Sequence, residues 1–291
     1  MSRPDGPPPR GVLRQARTDG LGAHARLEPA PALLPFIDCY WMVRWDLRGH
    51  PPFLAETLPH PCVYWATERG DSTIGGVADA RFTRRLEGRG RVFGVRFRPG
   101  GFYPFYRRPL AGLTGRTVSL REVFGAPGAA LRRELVALDR AALAAEPTAG
   151  HDPDAAADEA MMDRTDQFLL ARLPAADPRL AEVSTIVHTI ATTPGLTRVE
   201  TVAARFGTTV RSLQRLFSQW VGVSPKWVIK RYRLHEAIAQ AEGGAPVSWS
   251  RLALELGYAD QAHFNRDFKA LVGRSPGEYR REVAQTPRGG P

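Results

Sequence analysis

The feature that most constrains this chain is an internal repeat near its C-terminal end. One short pattern occupies residues 199–225 and occurs again over residues 250–276. In each copy an alanine stands four residues before a glycine, and an apolar residue, an arginine, a phenylalanine and a closing Gly-x-Ser-Pro follow. A small residue in a short helix, then a glycine suited to a left-handed helix end, is typical of a helix-turn-helix. A repeated unit implies a repeated function.

Helical spacing predicts one recognition helix in each copy and a helix between them. The recognition helices are expected at residues 210 to about 220 and 261 to about 271, and the connecting helix at residues 225–241. Thr209 and Ser224 suit the cap positions, and Pro225 suits the first turn. Seventeen residues at about 1.5 Å each make a rod of roughly 25 Å. Such a rod would hold the two units at a fixed separation.

The two turns are not identical. The phenylalanine follows Gly207 by ten residues, as Phe217, but follows Gly257 by eleven, as Phe268. We therefore expect the second turn to be one residue longer than the first.

The polar faces of the predicted recognition helices suit the edges of DNA bases. Leu213, Leu216 and Phe217 share a face that should be buried in the first helix, as Phe264, Phe268 and Leu271 do in the second. Arginine can bind a guanine edge through two hydrogen bonds, and glutamine or asparagine can bind adenine in the same way. The candidate DNA-binding residues are Thr209, Arg211, Ser212, Gln214, Arg215, Ser218, Gln261, His263, Asn265 and Arg266. For Arg215 and Arg266, which occupy equivalent places, a phosphate contact or a salt bridge within the unit is the alternative.

The distribution of charge agrees with a polyanionic partner. The chain has a net charge of +10, and residues 178–291 contain 16 Lys and Arg against 9 Asp and Glu. The basic excess therefore lies mainly with the repeat, where it favours attraction to nucleic acid. A basic surface with no such partner is the alternative.

The first half of the chain has the pattern of an all-β domain. Apolar residues alternate from Cys39 to Leu47, and further strand candidates follow at residues 53–58, 62–67, 72–77, 81–86 and 91–98. Helices are expected at residues 128–145 and 160–173. The predicted fold class is therefore α+β with several domains: an N-terminal, mainly antiparallel β barrel or sandwich-like domain, then an all-α domain with two helix-turn-helix units joined by a long helix.

Candidate effector-binding residues in the β domain are Trp41, Trp65, Arg96 and Arg98. The two arginines share a strand face, which could bind an anion if it faced the interior, whereas a solvated outer face is the alternative. His60 and Cys62 have a spacing that two metal ligands could use, but packing at a strand end explains them more simply. The sequence therefore predicts no metal, no cofactor and no catalytic residues. An enzyme or small-molecule-binding protein with an accessory DNA-binding domain stays the alternative function.

Two cysteines, Cys39 and Cys62, are too few for a disulfide-stapled fold or a four-thiolate zinc site. The start lacks the apolar core of a signal peptide, and no apolar run approaches the roughly 18 to 20 residues that span a bilayer. These observations predict a cytoplasmic, nucleoid-associated protein without a membrane partner.

The paired units, the RLHEA of residues 233–237 and the GYADQAHFNRDFKALVGRSPGEYR of residues 257–280 resemble the AraC family of bacterial transcriptional regulators. Val210 departs from the proline frequent in that family, and Ala262 offers little hydrogen-bonding capacity. LPHPCVYWATERG and GRGRVFGVRFRPGGFYPF are similar to the front half of some AraC-type regulators. The resemblance implies a double-stranded DNA operator as partner, with two units that bind adjacent major grooves. A small-molecule effector, a second copy of the chain and RNA polymerase are further candidate partners.

The resemblance and the composition together suggest five segments. They are a disordered lead-in at residues 1–30, a β-rich sensor or dimerisation domain at 31–145, a linker with one helix at 146–177, the DNA-binding domain at 178–283 and a disordered tail at 284–291.

Overall fold

A computed structural model of the chain describes residues 12–13, 22–78, 81–148, 152–243 and 247–285. The N-terminal part is built from antiparallel strands in two sheets. The strands are β1 (Val12–Leu13), β2 (Gly22–Leu27), β3 (Ile37–Leu47), β4 (Phe53–Thr57), β5 (Tyr64–Glu68), β6 (Asp71–Gly75), β7 (Phe82–Leu86), β8 (Gly88–Phe97) and β9 (Thr117–Ser119). Six of them form one sheet in the order β2-β3-β8-β5-β6-β9, and the other three form a second sheet in the order β1-β4-β7.

The alternation of side chains along β3 gives the larger sheet two different faces. Val43 and Trp45 lie on the face that packs against Phe53 of β4 and Leu86 of β7. Tyr40 and Met42 point to the other face and belong to the main core. The predicted β domain is therefore confirmed as antiparallel sheets packed face to face, with strand bounds close to those expected.

Helices cover the other face of the larger sheet. They are the short α1 (Tyr103–Tyr106), α2 (Leu120–Ala144) and α3 (Pro153–Leu170). The long α2 is interrupted at Gly125, whose φ of 67° and ψ of −147° are not helical. Trp65 of the sheet contacts Phe124 of α2 and Phe168 of α3, with ring centroids 6.3 Å away in both cases. This aromatic contact anchors both helices to the β domain.

Part of the predicted linker is instead an integral part of this packing. Asp152 caps α3 by accepting hydrogen bonds from the amides of Asp154 and Ala155. Asp158 is buried, and its carboxylate accepts a 3.0 Å hydrogen bond from Nε of Arg44 and also pairs with Arg91. The acidic, alanine-rich composition resembled a linker, but the aspartates neutralise arginines of β3 and β8.

The predicted lead-in also contains ordered structure. β2 pairs along its whole length with β3, from Gly22 opposite Trp45 to Leu27 opposite Tyr40. The expectation of disorder up to residue 30 is therefore wrong for residues 22–30, because these residues hydrogen-bond to the edge of the sheet. Residues 1–11, 14–21 and 286–291 lie outside the described residues, whereas Ala284 and Gln285 belong to the last helix.

The C-terminal part is helical. The helices are α4 (Pro178–Thr192), α5 (Val199–Arg205), α6 (Val210–Trp220), α7 (Pro225–Glu242), α8 (Trp249–Glu255), α9 (Gln261–Val272) and α10 (Pro276–Gln285). The pairs α5–α6 and α8–α9 are the two predicted helix-turn-helix units, and α7 is the predicted connecting helix. No helix among the described residues is long and apolar enough to cross a membrane.

Candidate nucleic-acid interface

The first recognition helix, α6, has the amphipathic pattern expected from the sequence. Leu213 and Phe217 are buried, and Leu216 is half-buried. Thr209 caps the helix by accepting a 3.1 Å hydrogen bond from the amide of Ser212. The remaining predicted DNA-binding residues of this helix are exposed: Arg211, Gln214, Arg215 and Ser218.

The second recognition helix, α9, begins at Gln261 and is capped by Asp260, whose carboxylate accepts a 2.7 Å hydrogen bond from the amide of His263. The helix starts four residues after Gly257, whereas α6 starts three residues after Gly207. The longer second turn is therefore confirmed. Both turn glycines have positive φ, 61° at Gly207 and 81° at Gly257, which only glycine adopts without strain.

The exposed cations of the two recognition helices are available to a ligand. Arg211, Arg215 and Arg266 are exposed, and in the described part of the chain none of them makes an ion pair or a side-chain hydrogen bond. The internal salt bridge considered for Arg215 and Arg266 is thus not formed there. Guanidinium groups held at helix surfaces without partners can contact either phosphate oxygens or guanine edges.

Asn265 does not lie as the sequence predicts. It is half-buried, and its Oδ1 is shielded from solvent. Because Asn265 precedes Phe268 by three residues and Val272 by seven, it lies at the edge of the buried face of α9. Its equivalent in the first unit, Gln214, is exposed. The two recognition helices therefore present different surfaces.

His263 is exposed as predicted, but its ring lies along its own helix. Nε2 of His263 is 3.6 Å from Oδ2 of Asp267, and the ring packs edge-on against Tyr258 with centroids 5.2 Å apart. Asp267 in turn pairs with Nζ of Lys230 on α7 at 2.7 Å. The sequence did not reveal this ionic link between the connecting helix and the second recognition helix. The equivalent position in the first unit holds the apolar Leu216, so the repeat gave no sign of an ion pair at Asp267.

The connecting helix α7 is also fastened to α4 by a buried arginine. Arg233 is 2% exposed and donates to the carbonyl oxygens of Ile190 and Thr193, at 3.2 Å for the latter. These carbonyls lie at the C-terminal end of α4, where a cation is favourable. Arg233 thus links α7 to α4, and Lys230 links α7 to the second unit.

The four candidate effector-binding residues do not form one site. Trp65 is fully buried beneath α2 and α3, and its indole N–H donates a 2.8 Å hydrogen bond to Ser72. Trp41 and Arg96 lie on the opposite face of the sheet. Trp41 and Ala66 both lie opposite Gly94 of β8, so Trp65, the neighbour of Ala66, points to the other face. Trp65 is therefore a core residue, and the sequence interpretation that grouped it with Trp41 is wrong.

Arg96 and Arg98 lie beside one carboxylate. Nε of Arg96 donates a 2.7 Å hydrogen bond to Asp38, and Nη1 of Arg98 is 3.8 Å from the same side chain. Nearby, burial raises the pKa of the Cys62 thiol to about 12, so this thiol is neutral at physiological pH. Trp41 lies over Gly94, and its indole nitrogen is buried without a hydrogen-bond partner among the described residues.

Two helix-turn-helix units, each with an exposed polar recognition helix and joined by one helix, define a DNA-binding domain. Residues 202–282 match the family described as Helix-turn-helix domain. This match agrees with the two units described above and supports the resemblance noted in the sequence. Residues 25–119 match a second family, described as a domain of unknown function (DUF6597).

Individual relatives match a smaller part of the chain or match it at low sequence identity. An uncharacterized HTH-type transcriptional regulator of Haemophilus influenzae is 36% identical over 70 residues, which are 24% of this chain and 23% of that protein. The chain thus matches less than a quarter of the length of this curated relative. Two structures of ToxT from Vibrio cholerae are each 12% identical. The match to the apo form covers 94% of this chain and 96% of the ToxT chain, with a TM-score of 0.36. The match to the form with bound unsaturated fatty acid covers 93% of this chain and 92% of the ToxT chain, with a TM-score of 0.37. Scores this low carry no inference about this chain.

Proposed function

We propose that the protein is a sequence-specific transcriptional regulator in the cytoplasm, which binds an operator through both helix-turn-helix units. The observation that carries the proposal is the pair of recognition helices with free cations at their exposed N-terminal halves. Arg211 and Arg215 supply them in the first unit, and Arg266 supplies one in the second. The matched domain family and the regulator named among the relatives support the same class of function.

The dimensions of the connecting helix favour binding in adjacent major grooves. The eighteen residues of α7 span about 27 Å at about 1.5 Å per residue. Successive major grooves on one face of B-DNA lie about 34 Å apart. A helix of this length between the two recognition helices can place one helix in each groove without dimerisation of the chain.

The polar residues at the start of each recognition helix are proposed to contact bases. Gln214 and Gln261 can pair with adenine edges and Arg211 with guanine, whereas Ser212, Ser218 and Thr209 are placed for phosphate or water-mediated contacts. Asn265 and His263 contribute less directly in this proposal, because the first is partly shielded and the second is turned towards Asp267.

Selection from a randomised DNA duplex library tests the proposal. The full-length protein should enrich a defined sequence and retain it in the presence of competitor DNA. Arg211→Ala and Arg266→Ala should each weaken binding by about 1 to 3 kcal/mol and relax preference in a different half of the enriched site. Arg133→Ala is a matched control, since Arg133 is exposed on α2, far along the chain from both units. Enrichment of no sequence, or equal loss for all three variants, would contradict the proposal.

Modulation through the N-terminal domain belongs to the same proposal. The buried indole nitrogen of Trp41 has no hydrogen-bond partner in the part of the chain that the structure describes. It lies on the sheet face that also carries Arg96, and both could contact a small polar effector. A bound effector should change tryptophan fluorescence in the wild-type protein but much less in a Trp41→Phe variant. Dimerisation and contact with RNA polymerase stay predictions.

A further inference from the structure

The two repeats share a glycine that ends each recognition helix and begins the Gly-x-Ser-Pro motif. Gly222 follows α6 and Gly273 follows α9, with φ of 97° and 84°. A β-carbon on Gly222 would lie 3.0 Å from the carbonyl oxygen of Leu110, and one on Gly273 would lie 2.7 Å from Nη1 of Arg81. The N-terminal domain therefore packs closely against the equivalent position of both units.

The contact at Gly222 is mainly apolar. Thr114 donates a 2.7 Å hydrogen bond to the carbonyl oxygen of Gly222. The rings of Tyr103 and Trp220 pack with centroids 4.3 Å apart, and Gln219 donates to the Tyr103 hydroxyl. The buried side chains of the first unit are continuous with the core of the β domain. We call this set of interactions the Gly222 contact.

The contact at Gly273 is ionic. Nη1 of Arg81 donates a 2.9 Å hydrogen bond to the carbonyl oxygen of Val272, the last residue of α9. Arg81 also pairs with Glu56 of β4, and Nη2 of Arg274 donates to the same carboxylate at 2.5 Å. The Glu56 side chain is 1% exposed. We call these interactions the Gly273 contact.

The charge balance makes the Gly273 contact depend on the position of the second unit. A buried carboxylate is costly unless cations and hydrogen bonds surround it. Arg81 comes from the β domain itself, but Arg274 belongs to the second unit. Movement of that unit away from the β domain would separate Arg274 from the Glu56 carboxylate. Arg81 would at the same time leave the negative end of the α9 helix dipole.

Both contacts lie at the C-terminal ends of the recognition helices. The proposed base-contacting residues lie in the N-terminal halves of these helices, and Arg211, Gln214, Gln261 and Arg266 are exposed with both contacts formed. The β domain can therefore hold both helices while they bind DNA.

We propose that the β domain fixes the separation and orientation of the two recognition helices through the Gly222 and Gly273 contacts, and so sets the operator spacing that the protein selects. This inference rests on the proposed function. The connecting helix joins the units, and the β domain adds a second, independent link between them. Each base pair inserted between two half-sites shifts one by about 3.4 Å and rotates it by about 34 to 36°. The connecting helix and the β domain together resist this shift and rotation of one unit relative to the other more strongly than the helix alone.

Variants of the full-length chain can separate the two links. Glu56→Gln removes the carboxylate charge at the Gly273 contact, and Thr114→Val removes the hydrogen bond at the Gly222 contact. Glu68→Gln is the matched control, because Glu68 pairs with Arg84 inside the β domain and touches neither contact. Binding is measured to a duplex enriched by the wild-type protein, and to duplexes with one or two base pairs added or removed between the half-sites.

The wild-type protein and Glu68→Gln should lose at least about tenfold in affinity on the altered spacings. Glu56→Gln should bind the original spacing within about threefold of wild type and lose less than about threefold on the altered ones. Hydrogen exchange without DNA should also rise at residues 271–279 in Glu56→Gln and at residues 219–225 in Thr114→Val, but at neither in Glu68→Gln.

An unchanged spacing penalty in Glu56→Gln, or unchanged exchange at both contacts, would overturn the inference. Failure of the proposed function would look different, because the wild-type protein would then enrich no sequence at all.

Discussion

Leu58, which directly follows β4, offers a quantitative test of the interface between the two parts of the chain. Although it belongs to the β domain, its side chain is fully buried in the apolar cluster of the second helix-turn-helix unit, together with Ile238 and Phe268. Replacement of a fully buried leucine by alanine costs about 2 to 5 kcal/mol, depending on how far the surroundings relax. We expect Leu58→Ala to fall in this range.

Leu54 provides a matched control on the same strand. Its side chain is 51% exposed, and substitutions at such surface positions usually change stability by less than about 0.5 kcal/mol. Because a chain with two parts need not unfold in one step, hydrogen exchange resolved along the sequence is the suitable assay. Leu58→Ala should raise exchange in α7, α9 and α10, and Leu54→Ala should not. Equal effects of the two variants, or a loss of protection confined to the β strands, would refute the packing argument.

Two further substitutions test local parts of the structure. Asp139 is 1% exposed, and burial raises its pKa from 3.8 to about 6 despite Arg91, whose Nη1 is 3.6 Å away. A raised pKa means that the folded state binds the proton more tightly than the unfolded state does. The stability that this proton contributes is present below about pH 4 and is lost as pH rises through about 6. Asp139→Asn should therefore be more stable than wild type by about 3 kcal/mol at pH 7 and should lose that advantage towards pH 4; a difference in melting temperature that does not vary with pH would contradict this. Asp260→Ala should destabilise the start of α9 by about 1 kcal/mol through loss of the helix cap, which hydrogen exchange at residues 261–264 would detect, and unchanged protection there would exclude the cap as a stabilising element.

The helices of the repeat could be predicted closely because their signals are local. The cap at Thr209, the proline at residue 225 and the spacing of Leu213 and Phe217 fix α6 and the start of α7 within a few residues. The same holds for β3, whose alternation is strong. These elements contain the information for their own structure in adjacent residues.

The elements that sequence reasoning missed depend on distant partners. β2 is an edge strand with the short sequence GAHARL, in which small residues alternate with His24 and Arg26 too weakly to mark a strand, and pairing with β3 defines it. The acidic sequence of α3 resembles a linker, and only the fold brings Arg44 and Arg91 opposite its aspartates. Such pairings follow from the fold and not from local composition.

The grouping of candidate effector residues failed for a related reason. A shift of one residue in a strand moves a side chain to the other face of the sheet. The register of β5 against β8 places Ala66 opposite Gly94 and sends Trp65 to the helical side. The interdomain contacts were still less accessible, since Arg81 and Val272 are separated by 191 residues.

Protection of guanines from methylation tests the central claim most directly, because guanine N7 lies in the major groove. On a duplex enriched by the full-length protein, we predict two clusters of protected guanines. Their centres should lie about one helical turn, or about 10 base pairs, apart. Arg211→Ala should remove protection in one cluster and leave the other intact. A single cluster, or protection that does not depend on the sequence of the duplex, would contradict the account.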